Sequence, residues 1–135
     1  MDSIQSVTRR GATCSDLLSC LYNLKPIDME VLIEVAKNRD AMLTQIAELV
    51  HRDRSSTHRC LSKLVSAGLV HKQSKTLEGG GYYHVYSMTE PAKIKAYARQ
   101  RVQEITDSLE RLIENFESDL NKHLEQNEIG YSSEQ

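Results

Sequence analysis

Between residues 98 and 116 the apolar side chains Ala98, Val102, Ile105, Leu109, Leu112 and Phe116 alternate spacings of four and three, the seam of a coiled coil over roughly three heptads. The helix that carries this seam is expected from about Glu90 to Gln126, far beyond the ~11–12 residues of an average helix. In a chain of 135 residues such a helix cannot pack along its whole length on the remaining domain. The pattern therefore predicts a small globular domain joined to an extended dimerisation helix over residues 90–127. Leu17 and Leu21, on an N-terminal helix, are expected to join the dimer contact. Past Phe116 the apolar positions Leu120 and Leu124 fall at spacings of four, so the strict heptad slips there. The competing arrangement is a single helix folded back on its own domain.

The rest of the chain reads as short helices followed by a hairpin. Residues 1–12 lack a sustained apolar period and contain the pair Arg9 and Arg10, which reads as a flexible arm. Thr13 or Ser15 can cap a first helix whose stripe is Leu17, Leu18, Leu21 and Leu24. Pro26 suits the first turn of a second helix, striped by Ile27, Val31, Leu32 and Val35 and ending near Asn38. Thr44 is expected to cap a brief helix over residues 45–50. A turn of three or four residues leads to a helix over about 54–67, with Thr57, Leu61, Leu64 and Val65 facing inward and Gly68 beyond its end. Residues 69–75 and 82–88 read as strands of a hairpin, joined by a tip that includes Gly79, Gly80 and Gly81. Thr89 is expected to cap the long helix, and residues 128–135 form a disordered tail. The fold class is mainly α with one β-hairpin: a winged helix-turn-helix over residues 13–89 plus the long helix.

Charge is distributed unevenly along this plan. From His51 to Lys75 six bases face one acid, whereas from Glu104 onward nine acids face two bases. A net charge of −2 thus conceals one end that attracts an anion and one that repels it. In a helix-turn-helix the second helix enters the major groove, whose width of about 12 Å admits one helix. Here that helix carries Arg54, Ser55, Ser56, His58, Arg59, Ser62 and Lys63 off its apolar stripe, almost all hydrogen-bond donors. Arg52 precedes it, and Lys72, Lys75 and the amide of Gly80 are placed on the hairpin to touch flanking phosphates or the minor groove. The alternative for this basic face is a solvated surface without a ligand.

The segment from Asp53 to Val70, DRSSTHRCLSKLVSAGLV, resembles the recognition-helix region of MarR and archaeal TrmB regulators, and Leu43 to Leu49, LTQIAEL, is similar to their preceding helix. The hairpin beginning Gly79-Gly80-Gly81-Tyr82-Tyr83 and the helix after it look most like short archaeal TrmB-type proteins. The resemblance spans roughly Leu17 to Lys95 and implies a winged fold, double-stranded DNA as partner and a role in transcription regulation; a homodimer through the coil would then read a pseudo-palindromic operator. Larger TrmB members carry a separate sugar-binding domain, for which no chain remains here, so no sugar effector is expected.

Other classes fit less well. Cys14, Cys20 and Cys60 are an odd number without Cys-x-x-Cys spacing, so free thiols are expected, with redox sensing through one of them as an alternative. The histidines fall on different elements without short ligand spacing, and neither a metal nor another cofactor is expected. No nucleophile motif, phosphate loop or paired carboxylates suggest an enzyme. No apolar run approaches the ~18 residues of a membrane helix, and the polar start is unlike a secretory signal, so a cytoplasmic protein is expected. A winged-helix adaptor that binds protein and not DNA remains the rival from a different class.

Overall fold

A computed structural model describes the backbone of residues 3–134 and the side chains of residues 4–127. The chain divides into two compact units, Met1–Ala98 and Arg99–Gln135.

The first unit opens with helix α1 (Ser3–Thr8), so the segment expected as a flexible arm contains a helical turn. Two local bonds account for it: the Thr8 hydroxyl donates to the carbonyl of Ile4 at 2.9 Å, and Arg9 just beyond reaches Asp16 at 2.9 Å. Helices α2 (Cys14–Tyr22), α3 (Pro26–Lys37), α4 (Leu43–Val50) and α5 (Arg54–Ser66) follow. At α2, α3 and α4 the third helical side chain accepts a hydrogen bond from the cap residue's backbone N–H. Asp16 accepts from Thr13, Asp28 from Lys25 and Gln45 from Met42, at 2.9, 2.8 and 2.7 Å. Thr13 is thus the cap of α2 as expected, while α4 is capped by Met42 and begins two residues before the position that Thr44 suggested. The side chain that decided this start was Gln45, whose amide reaches back one turn.

Strands β1 (Val70–Thr76) and β2 (Tyr82–Met88) pair antiparallel in the register Val70↔Met88 to Thr76↔Tyr82. A single bridge, Ala41↔Tyr86, adds a third backbone segment to this sheet and ties the α3–α4 connection to the wing. One alanine gives no periodicity, so no strand was legible there.

The core of this unit is one cluster in which Val31, Ile46, Leu61, Leu64 and Leu69 are fully enclosed, with Val35 and Val70 nearly so. Thr57 is also fully buried, and its hydroxyl donates to the carbonyl of Asp53 at 2.9 Å, so no polar group is stranded. The end of α5 is closed by a paired motif in which Leu69 N–H donates to Leu64 and Gly68 N–H to Val65, both at 3.0 Å. Gly68 has φ +80°, and a Cβ there would lie 3.2 Å from the Tyr97 ring. Thr89 is not the cap of the next helix: its hydroxyl donates to the Gly68 carbonyl at 2.7 Å and its N–H to Leu69.

The long C-terminal helical run expected from the heptads is present as α6 (Pro91–Glu114) continued by α7 (Phe116–Glu134). At Asn115, between them, the helical ladder is kept: the Asn115 N–H donates to the Arg111 carbonyl at 3.1 Å and the Asp119 N–H to Asn115 at 3.0 Å, while the Asn115 side-chain amide shares the Arg111 carbonyl at 3.1 Å. This joint lies beside the slip in the heptad at Phe116. The expected disordered tail begins inside α7; the side chains of residues 128–134 and the whole of Gln135 lie outside the described residues. Within the second unit Val102, Leu109, Leu112 and Phe116 are 41%, 49%, 61% and 59% exposed. Ile105 is half-buried, and Ile113, Leu120 and Leu124 are exposed beside the seam. Ala98, the first seam residue, is buried in the first unit. No described helix is long and apolar enough to cross a membrane.

Candidate nucleic-acid interface

Helix α5 presents two faces. Thr57, Cys60, Leu61 and Leu64 are buried, while Arg54, Ser55, His58, Arg59 and Ser62 are exposed and Ser56 is half-exposed. Its start is fixed by Asp53, whose carboxylate accepts from the Ser56 N–H at 3.2 Å; bonds from Ser56 hold that carboxyl below its usual pKa. The turn before it spans residues 51–53, within the length expected of a helix-turn-helix. His51 adopts the left-handed conformation at φ 55°, letting the Arg52 N–H reach the Ala47 carbonyl at 3.1 Å and close α4.

A cleft flanks α5 on each side. On the α3 side a cleft of about 480 Å³ is lined by Lys25, Asp28, Arg52, Ser56, Arg59, Cys60 and Lys63. On the wing side a cleft of about 330 Å³ is lined by Thr44, Arg54, His58, Lys72, Tyr83, His84 and Tyr86. The first carries four cationic side chains and one carboxylate. The second carries two permanent cations and two imidazoles with no carboxylate in its lining. Lys25 and His84 were not singled out from sequence, because each sits outside the recognition helix and only the folded chain brings it alongside.

Asp28 is the one acid in the first cleft, and it is already engaged. Its side chain is 5% exposed, lies 2.8 Å from Lys63 Nζ and accepts the Lys25 N–H. Burial alone would raise its pKa, but the bonds from Lys63, Lys25 and Cys60 outweigh burial and hold it below the usual value. Lys63 Nζ also donates to the Asn23 carbonyl at 2.7 Å, so this lysine braces α5 against the α2–α3 connection. On the wing, Lys75 lies 3.9 Å from Asp40, whereas Lys72 forms no ion pair among the described residues. Arg59 donates to the Ser56 hydroxyl at 3.2 Å. Gly79, Gly80 and Gly81 all have positive φ in the tip, where the Leu77 N–H donates to the Gly81 carbonyl at 3.0 Å.

Residues 18–92, more than half of the chain, match the family model described as the sugar-specific transcriptional regulator TrmB. The chain belongs to the TrmB family. The uncharacterized protein MJ1503 of Methanocaldococcus jannaschii is 30% identical to this TrmB-family chain over 105 residues, covering 78% of this chain and 80% of its own length. A second protein of that archaeon, MJ1082, is 27% identical over 112 residues, covering 83% of each chain. The winged-helix fold of this TrmB-family chain recurs in the structure of a "possible transcriptional regulator" from Methanosarcina mazei Go1. That structure has a TM-score of 0.67 at 21% identity, with 81% of this chain and 95% of that one covered. The ST1889 protein of Sulfolobus tokodaii shares the fold at a TM-score of 0.56 and 17% identity, covering 70% of this chain and 93% of its own.

Of the cysteines, Cys60 is buried beside Asp28, and burial together with that carboxylate pushes its thiol up to about 11. At neutral pH it is a protonated thiol and a poor nucleophile, which argues against redox sensing through Cys60. Cys14 is exposed and Cys20 half-buried, both free. Leu21, expected at the dimer contact, is buried within the first unit, and Leu17 beside it is half-buried. Among the described residues no group of three or more His, Cys, Asp or Glu side chains is placed to hold a metal.

Proposed function

We propose that this TrmB-family chain is a sequence-specific double-stranded DNA-binding regulator of transcription, acting as a homodimer in the cytoplasm. In this reading α5 enters the major groove, with Arg54, Ser55, Ser56, His58, Arg59 and Ser62 toward base edges or phosphate. The hairpin, through Lys72, Lys75 and the Gly80 amide, lies on the flanking backbone or minor groove. Residues 13–89 are the DNA-binding domain and the helices from residue 90 onward are the dimerisation element. The two-fold relation would set two recognition helices about one DNA turn, ~34 Å, apart on a pseudo-palindrome.

The observation that carries this reading is the pair of clefts along α5. A helix seated in the major groove has one phosphate backbone on each side, and here cations line both flanks of a donor-rich helix. Selection of duplexes from random sequence, followed by titration against salt, tests it. A recovered consensus is expected, with affinity falling steeply as salt rises, by a log–log slope of about −0.9 for each phosphate neutralised. Failure to enrich any sequence, or affinity indifferent to salt, would favour the protein-binding adaptor.

A further inference from the structure

The wing-side cleft differs in kind from the cleft on the opposite flank. Its lining holds two guanidinium or ammonium groups, Arg54 and Lys72, and two imidazoles, His58 and His84, and no acid balances them. The four come from three elements. Arg54 and His58 lie one turn apart on α5, Lys72 is on β1 opposite Tyr86, and His84 is on β2 opposite Ser74. The remaining lining groups, Met42, Leu43 and Thr44 from the start of α4 and Tyr83 and Tyr86 from β2, carry no charge at neutral pH. The nearby acids are committed elsewhere, Asp53 to the cap of α5 and Asp40 to Ser87 and Lys75.

His84 is held in a way that permits a change of protonation. Its Nδ1 lies 3.1 Å from the Ser74 hydroxyl, and its ring meets Tyr82 edge-on at 5.5 Å between centroids. A hydroxyl can donate to a neutral imidazole nitrogen or accept from a protonated one, so this contact survives in both states. A carboxylate partner would have fixed the ring as a cation, and a backbone N–H would have fixed it neutral. His58 is exposed on α5 and has no carboxylate in the cleft lining.

We propose that the wing-side cleft seats one DNA backbone phosphate through Arg54, Lys72, His58 and His84, and that the two histidines take up protons when it arrives. The proposal rests on the DNA-binding reading and assigns to it a regulation by pH. A phosphate seated in the cleft brings negative charge beside the two imidazoles and favours their imidazolium forms. Protons are therefore bound on complex formation, and by linkage the affinity for DNA increases as pH falls.

The test uses the full chain and a duplex selected in vitro from random sequence, with Kd measured at pH 6 and pH 8 at one ionic strength. The wild type is expected to bind on the order of tenfold tighter at pH 6, and His58→Gln with His84→Gln to reduce that ratio to about twofold or less, the readout being the ratio of the two Kd values and not either value alone. Imidazole NMR titrations of His58 and His84 are expected to move to higher pH in the complex. A wild-type affinity flat across this range, or a double variant that keeps the full ratio, would overturn the proposal while leaving DNA binding intact. Absence of duplex binding at either pH would instead overturn the reading beneath it. Inorganic phosphate added at matched ionic strength is expected to leave the duplex affinity nearly unchanged. Strong, saturable competition at pH 6 would make the cleft a site for a free anion and overturn its assignment to the DNA backbone.

Discussion

Replacing Leu109 and Leu112 together by aspartate is expected to convert the proposed dimer to monomers. Both side chains are about half exposed or more in the single chain, as are Val102 and Phe116 along the same seam. Full burial of a leucine side chain is worth ~1.5–3 kcal/mol, so covering the exposed part of each contributes about 1 kcal/mol. A carboxylate in its place must also be desolvated opposite its own copy across the two-fold axis, a further penalty of about 1 kcal/mol or more per site. Two positions on each of two chains give a loss of about 8 kcal/mol, equivalent to between five and six orders of magnitude in Kd. Sedimentation equilibrium at micromolar protein should then report a monomer, with helical circular dichroism retained. Gln100→Asp, off the seam on the same helix, should remain dimeric and serves as the control for added charge. If the double variant sediments as a dimer, the seam is not the contact, and the energetic reasoning fails with it.

Four further outcomes follow from the first unit. Asp28→Asn should cost about 2–3 kcal/mol at pH 7, at or just below the low end of the ~3–5 kcal/mol for breaking a buried ion pair, because Lys63 is 35% exposed and keeps the Asn23 carbonyl. Since the Asp28 pKa is lowered on folding, its contribution is present above the unfolded carboxylate value of about 4 and is lost as pH falls through the folded one. Denaturant titrations should therefore show wild type and variant converging toward pH 3, and an undiminished gap there would contradict the assignment. Gly68→Ala should lower stability by about 1–2 kcal/mol, since it strains a φ of +80° and presses a methyl on the Tyr97 ring; an unchanged melting temperature would count against this packing. Arg54→Ala or Arg59→Ala should each weaken DNA binding by about 1–3 kcal/mol without moving the thermal midpoint. An unaltered affinity for both would place the contact elsewhere. Under native conditions at pH 7, a thiol reagent should label Cys14 rapidly and Cys60 only after unfolding, and equal rates would refute the buried, high-pKa thiol.

The order of elements was legible because each leaves a local mark. Leu61 and Leu64 repeat at helical spacing, Pro26 opens a helix, Gly68 closes one, and the strand Tyr82–Met88 is dense in tyrosine and valine. The features that were missed depend on reach across the fold or on competing local bonds. Thr44 and Thr89 look like caps by residue type, yet Gln45 captured the start of α4 and the Gly68 carbonyl captured the Thr89 hydroxyl. Ala41 has no strand signal because its two bonds to Tyr86 are backbone only. The joint at Asn115 lies where the heptad slips, but the side-chain amide turned onto the Arg111 carbonyl leaves no mark in the pattern. Lys63 reads from sequence as one more cation on a basic helix. Thirty-five residues upstream, Asp28 gives it a structural partner that charge counting cannot identify.

That pairing explains how so polar a helix can be held rigidly. Of the thirteen residues of α5 only four are buried, so the apolar stripe alone leaves rotation about the helix axis weakly restrained. Lys63 supplies a directional restraint near one end, joining α5 to the Asn23 carbonyl and to Asp28 at the start of α3. Asp53 supplies another at the opposite end through the Ser56 N–H, and Thr57 adds a buried bond one turn on. Between these fixed ends Arg54, His58, Arg59 and Ser62 are free of ion pairs among the described residues. The helix thus commits one cation to its own orientation and keeps the others outward, which is the division of charge that reading a duplex requires, since displaced side chains at base edges lose their geometry within an ångström or so.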